Sequence, residues 1–418
     1  MSLKTVAVFV SVIVLGAFVL GSPVRADDGN WPRFRGPNGQ GIGEAATIPV
    51  QWTEKNYNWK VELPGGGHSS PVVWGEKVFV TCADAKTAKR ILLCLSTKDG
   101  HTLWKREYPS EVCHLNSLSS FAVTTPPVDA HRVYFSWGTP DNQPIVALTH
   151  DGKEVWRADL GPFKSQHGHG PSPALLDGLL VVPGEQLEGS YLIALDAATG
   201  STRWRTQRRD VKAAYSTPCV WCPDGGAAQL IFTSTAHGIS SIDPAAGKVN
   251  WEAAEVFPQS QRVVSSPVIA GDLILGTCGT GGRGRSVVAV RPPAAGSGAK
   301  AQVAWEIMKD APYVPTGVTH GGLVFMWSER GTVHCIRAAG GEIVWKEQVG
   351  GNYFGSPVRV GDRLYCISMQ GDVVVVAATE QYKFLAKNPL GEKSQATPAV
   401  AGGRMYLRTW SHLISIGG

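Results

Sequence analysis

The chain is short of charge. Asp, Glu, Lys and Arg make up 17% of its 418 residues, and the formal net charge is only +5. Such a weak balance gives no basis for nucleic-acid binding. The 43% hydrophobic content excludes a disordered chain. Long apolar runs are equally scarce. The run at residues 5–20 follows Lys4 and precedes the small-residue site Val24-Arg25-Ala26. It is shorter than the ~20 residues a spanning helix needs, so a cleaved signal peptide is expected over residues 1–26. Cleavage removes Lys4 and Arg25 and no acid, taking +5 to +3. No Cys follows the run, so no lipoprotein anchor is expected, and no later segment is apolar enough to span. A periplasmic or secreted protein follows. Also absent are Gly-x-Ser-x-Gly, His-Glu-x-x-His and paired acid motifs, which removes the common hydrolase signatures.

Cysteine is modest, at eight residues. An oxidising compartment permits pairing, but a chain of this size does not require it. Cys82 and Cys94 lie on neighbouring strands of one unit, where a disulfide is open. Cys219-Val220-Trp221-Cys222 ends a strand and enters a turn. A redox motif would open a helix there, and a structural zinc would need a second pair. A local disulfide or two free thiols is the plainer reading.

What the chain has is Gly, Pro and Trp: 49, 27 and 14 residues. They recur in order. Eight doublets open short strand-like stretches: Ser70-Pro71, Thr125-Pro126, Ser172-Pro173, Thr217-Pro218, Ser266-Pro267, Thr316-Gly317, Ser356-Pro357 and Thr397-Pro398. Six of the units close on Trp104, Trp156, Trp204, Trp251, Trp305 and Trp345. Leu385 takes that place in the seventh, and Trp59, near the other end of the chain, takes it in the eighth. The unit between 173 and 206 reads as strands at 173–177, 179–183, 191–195 and 201–206, with Asp196 and Gly200 shaping the last turn. A repeat of 40 to 55 residues with four strands indicates a β-propeller. The last unit offers strands at 398–401, 404–409 and 412–416, and residues 57–63 read as an unpartnered strand. The expected fold is therefore all-β, an eight-bladed propeller of four-stranded antiparallel blades, closed by an N-terminal strand completing the last blade. Its domains are a signal peptide at 1–26, a lead-in at 27–55 and the propeller at 56–418.

The loops that return from the rim to the axis should ring one mouth of the channel, and function tends to lie on irregular loops. Candidate ligand- or partner-binding residues there are His68, His167, His169, Tyr215, Arg262, Tyr313 and Tyr353, with Gln261 and Gln395 beside them. His167-Gly168-His169 offers two imidazoles, but no carboxylate or thiolate completes a metal set, so hydrogen-bonded histidines are expected. Gly279-Thr280-Gly281-Gly282-Arg283-Gly284 fits Gly-x-Gly-x-x-Gly without a helix to follow. It reads as a flexible loop with Arg283 and Arg285 at its tip rather than as a dinucleotide site.

The stretch 194–204, Ala-Leu-Asp-Ala-Ala-Thr-Gly-Ser-Thr-Arg-Trp, resembles the tryptophan-docking motif of pyrroloquinoline-quinone (PQQ) type propeller repeats. The resemblance covers residues 56 to 418 and extends to the BamB-like outer-membrane assembly propellers, which share the repeat without the quinone. Residues 31–43, from Trp31-Pro32-Arg33-Phe34-Arg35-Gly36 onward, are similar to the lead-in of exported PQQ-like propellers. The quinoprotein branch implies PQQ beside an adjacent Cys-Cys pair and calcium held by acidic and amide side chains. This chain has no Cys-Cys, and no acid directly precedes any of the eight opening strands. No cofactor is expected, neither PQQ nor Ca²⁺. The expectation is a monomeric, non-catalytic binding or scaffolding protein acting through the irregular-loop face. Its partner would be an envelope protein or a small ligand at the channel mouth. The alternatives are a PQQ-dependent dehydrogenase with an atypical site and a carbohydrate-binding propeller.

Overall fold

The computed structural model describes residues 29–294 and 297–418. The signal peptide expected at 1–26 lies outside the described residues. Among those described, no helix is long and apolar enough to cross a membrane.

Eight separate sheets stand in sequence order around one axis. In the third blade, Ala174–Leu176, Leu179–Gly184, Tyr191–Asp196 and Thr202–Gln207 pair as an antiparallel meander. The first three strands are apolar and almost wholly buried, whereas Thr202–Gln207 alternates charged and apolar side chains and forms the outer edge.

The expected fold class needs correction. No sheet closes on itself through hydrogen bonds, and none is strongly curled. Nor are the blades uniform. The second has three strands, Arg132–Ser136, Pro144–Thr149 and Glu154–Asp159. Its inner position is reduced to a single bridge between Val128 and Val133, because Pro126 and Pro127 bring no N–H to a ladder. The seventh has five, since Ile42–Gly43 of the lead-in adds parallel to Val358–Val360. Tyr57–Glu62 pairs with His412–Gly417 as the outer strand of the eighth sheet. That strand completes the eighth blade and docks its Trp59 on Thr97 of the first, but it closes no sheet on itself.

Three sets of contacts between blades hold the ring instead. The first is a belt at the opening doublets. At seven of the eight junctions the main-chain N–H of the doublet residue donates to the hydroxyl of the next blade's; the junction from Ser172 to Thr217 has no such bond. The links run Ser70 to Thr125, Thr125 to Ser172, Thr217 to Ser266, Ser266 to Thr316, Thr316 to Ser356, Ser356 to Thr397 and Thr397 back to Ser70, at 2.9–3.2 Å. A hydroxyl thus serves as acceptor at every position but Thr217, which is why Ser or Thr recurs there.

The second set docks each outer tryptophan on the following blade. Trp204 donates its indole N–H to the Pro244 carbonyl at 2.7 Å, Trp104 to His150 at 2.8 Å, Trp156 to Ala197 at 3.0 Å and Trp305 to Ala338 at 2.8 Å. The turn glycines Gly247, Gly152, Gly200 and Gly341 take positive φ and also leave room for the ring. Trp251 departs from the rule and donates to Gln229 of its own blade, because a longer connection replaces the short turn in the fifth blade.

The third set is the lead-in, which crosses the channel. Trp31 bridges to Val73, and the Val128 N–H donates to Pro32. Asn38 exchanges two hydrogen bonds with the Val220 backbone, and Gln40 accepts from Ile269. Arg33 donates to Pro218. Arg35, fully buried, donates to Thr316, Gly317 and Pro357 and to its own loop at Gly39 and Gln40. Six of the eight blades are tied by one short segment.

The cysteines are all free. Cys82 packs toward the eighth blade and Cys94 toward the second, so they lie on opposite faces of one sheet and cannot meet. Cys219 is buried while Cys222 is exposed.

Candidate functional site

The belt and the lead-in together define an axial cavity of about 500 Å³. Phe34 of the lead-in supplies its floor, beneath the doublet hydroxyls. The wall repeats. The residue two before each doublet Ser or Thr lines the cavity in all eight blades: His68, Val123, Gly170, Tyr215, Val264, Val314, Phe354 and Gln395. Extended backbone turns alternate side chains to opposite sides, so positions of one parity meet the axis.

Parity accounts for part of the sequence candidates: His68, Tyr215 and Arg262 keep it, while His167, His169 and Tyr313 reach the cavity from the other parity. His68, His167, His169, Tyr215, Arg262 and Tyr313 line the cavity. Tyr353 does not. It is fully buried and packs edge-on against Trp327 at 5.2 Å, while its neighbour Phe354 takes the axial place. Gln395 lines the cavity; Gln261 is buried outside its lining. Asn116 to Ser119 and the pair Gly281-Gly282 complete the lining. The glycine-rich segment expected as a flexible loop is instead a tight hairpin. Leu273–Thr280 and Arg283–Arg291 extend to its tip, where Gly281 and Gly282 both hold positive φ.

The polar groups are unevenly satisfied. The Tyr191 hydroxyl donates to the Gln143 amide oxygen at 2.9 Å, and the Gln143 amide nitrogen lies 3.1 Å from His169 Nε2. This chain fixes the His169 ring, which stacks edge-on against Phe163 at 4.7 Å. Burial holds His169 down to about 3, so it is neutral. Burial, aided by Arg408 and Lys393, holds His68 at about 3 as well, and its ring lies 5.1 Å from Trp410. Burial and then Arg262 lower His167. Burial pushes the Tyr215 phenol up to about 12. Three buried polar atoms on lining residues have no hydrogen-bond partner: His68 Nδ1, Tyr215 Oη and Arg262 Nε. They come from three blades. Thirteen other buried side-chain atoms of the described residues also lack a partner, so what sets these three apart is that they converge on one cavity. The Tyr215 oxygen also meets Ser165 and the His167 main chain, and the Arg262 guanidinium meets Tyr313.

No carboxylate lines this cavity. Among the described residues no cluster of three or more His, Cys, Asp or Glu side chains is arranged to hold a metal ion. A smaller cavity of about 250 Å³ adjoins it, sharing Gly168 and His169 and lined also by Cys113 and His114.

The family model described as outer membrane protein assembly factor BamB matches residues 141–296 and 295–416. The chain belongs to this family. No curated protein sequence matches it. Among solved structures, BamB from Moraxella catarrhalis is 13% identical, with a TM-score of 0.61 over 85% of this chain and 95% of that one. A europium-containing methanol dehydrogenase is 14% identical, with a TM-score of 0.69 over 93% and 91%. The quinohemoprotein alcohol dehydrogenase from Comamonas testosteroni is 15% identical, with a TM-score of 0.64 over 93% and 80%. At these identities the likeness establishes the propeller. The BamB-family fold is thus shared with quinoprotein dehydrogenases.

Proposed function

We propose that this propeller is an exported ligand-binding protein whose site is the axial cavity. The observation that carries the reading is the set of three unpartnered buried polar atoms, on His68, Tyr215 and Arg262, around one space floored by Phe34. A pocket with an apolar wall and a few convergent polar groups is the usual form of a small-molecule site. The cavity is half open to solvent, and its volume of about 500 Å³ suits a small ligand as the occupant. The test is mass spectrometry of small molecules released on denaturing the mature protein from its native envelope. One equivalent of a single compound is expected, lost when Val264→Trp fills the wall. Loss of nothing, or no bound compound after saturation with envelope extract, would count against the cavity as the site.

A second reading is a quinone-dependent dehydrogenase. The likeness to the methanol dehydrogenase favours it, since that fold match covers 93% of this chain against 85% for BamB. The unpartnered donors suit the carbonyl and carboxylate oxygens of a quinone acid. A calcium ion beside it does not fit, because no lining side chain is a carboxylate. Reconstitution with PQQ and a dye-linked alcohol oxidation assay separates the readings. Stoichiometric PQQ with turnover establishes the second, and binding of another compound without turnover supports the first.

A further inference from the structure

Resting on the cavity as the binding site, we infer that its ligand is an organic anion with an apolar body, neutralised by fixed arginines rather than by a metal ion. Three observations bear on charge. Arg262 lines the cavity with its Nε unpartnered. Lys212 lies near enough to feel the Arg262 charge and donates to the Ser260 carbonyl, not to an acid. Below the floor, Arg33 and Arg35 are buried among main-chain carbonyls, and neither has a carboxylate partner. Burial brings them down to about 10 and about 9, so both remain charged at neutral pH.

The acids nearby are already engaged. The Glu329 carboxylate accepts the Tyr313 and Val314 N–H groups at 2.7 and 2.5 Å, and lies outside the lining. Glu392 accepts from Thr409 and Ser411 and meets His412, also outside it. The lining therefore carries one cation, Arg262, with hydroxyl donors and no anion of its own, and Arg33 and Arg35 add positive charge from behind the floor. Arg262 is half-buried in a half-open cavity, so its charge acts on whatever enters more strongly than it would in bulk water. A neutral ligand leaves Arg262 uncompensated, and a cation is repelled. An anion supplies the missing acceptors for Arg262 and Tyr215 together. The remaining wall, Val264, Val314 and Phe354, is apolar and suits a hydrocarbon or ring body.

Two fluorescent probes with one skeleton test this. 8-Anilinonaphthalene-1-sulfonate is an anion, and N-phenyl-1-naphthylamine is its neutral counterpart. Both are titrated into the mature, ligand-stripped protein with EDTA present. The expected result is one-to-one binding of the sulfonate, at least about tenfold tighter than the amine, weakening as salt is raised. Arg262→Gln should weaken the sulfonate by about tenfold or more, Arg262→Lys should restore part of the loss, and the amine should be unaffected by either. Melting curves of both variants identify any general misfolding, and the lysine variant keeps the test valid if the glutamine variant unfolds. Val264→Trp should abolish both probes. Equal affinity for the two probes, or a sulfonate affinity that requires a divalent ion, overturns the anion inference and leaves the cavity reading standing. Absence of one-to-one binding by either probe, or binding unchanged in Val264→Trp, overturns both.

Discussion

The indole of Trp204 occupies the space that a side chain at Gly247 would need. A Cβ built on Gly247 would stand 2.6 Å from the ring, and the indole N–H donates to Pro244 of the same turn. One blade's outer strand is thereby keyed into the next blade's turn. The glycine is required twice, for its φ of +69° and for its missing Cβ.

This pairing is measurable as a coupling. Trp204→Ala should cost about 3–5 kcal/mol, the range for truncating a buried aromatic. Gly247→Ala should cost about 2 kcal/mol or more, from positive φ and overpacking together. In the Trp204→Ala background the clash with the indole vanishes and only the Thr206 hydroxyl at 2.8 Å remains close, so Gly247→Ala should fall to about 1–2 kcal/mol. Urea denaturation of the four proteins checks the cycle. Strict additivity would mean that the two residues do not share the joint.

The belt gives a sharper contrast, because one junction lacks its link. Thr125, Thr316 and Thr397 each accept an N–H from the preceding blade, while no such bond reaches Thr217 from Ser172. Thr→Val keeps the shape and removes the acceptor. At the first three positions it should cost about 1–3 kcal/mol, the penalty of a buried N–H left alone. At Thr217 it should cost clearly less. Equal losses at all four would show that the hydroxyls do not carry the ring.

Arg35 is the hub of the lead-in. Arg35→Met strands the carbonyls of Thr316, Gly317 and Pro357 at once, and should lower stability by about 3 kcal/mol or more. Arg35→Lys should recover only part of this, since an ammonium offers three donors without the planar fork. Chemical denaturation of both variants is the check. A methionine variant as stable as the parent would make the lead-in an accessory.

How far the sequence carried the reading follows from these same residues. Strand limits in the third blade differ from the expected ones by a residue or so, because alternating apolar runs and Asp/Gly turns are local signals. The doublets were visible as a repeat, yet their hydroxyl link was not, since it joins residues some 50 apart. The lead-in read only as a segment preceding the propeller. Nothing local marks Arg35 as bonded to carbonyls 281 and 322 residues away. At the site, side-chain chemistry found His68, Tyr215 and Arg262, but Tyr353 was chosen where Phe354 lines the cavity. Counting parity back from the doublet separates those two. Uniform blades failed for the same kind of reason, where two prolines in a row displaced the inner strand of the second blade.

Buried neutral histidines make stability depend on pH. Burial is the largest cause for each: His68 and His169 are held at about 3, and His334 at about 4, against an ordinary 6.5. Their folded values lie below their unfolded ones. As pH falls through 6.5 the unfolded chain takes up protons that the folded chain refuses, so stability falls with it. Above 6.5 the contribution is fully present. The Glu392 carboxylate has a low folded value, about 2 against 4.5, held by hydroxyl donors from Thr409 and Ser411 against the opposing effect of burial, so its own loss begins only below 4.5. Between pH 4.5 and 6.5 the histidines set the sign: His150, His167 and His237, also lowered chiefly by burial, act in the same direction, and the buried Glu329, raised by burial, opposes them. The urea midpoint should rise steadily across that window, with a slope approaching about three protons taken up on unfolding near its lower end. His334→Phe, which removes one titrating group away from the cavity, should make the slope shallower by about one proton. A midpoint flat from pH 4.5 to 6.5 would mean that these rings gain protons in the folded state, and that the cavity is wetter than its lining implies.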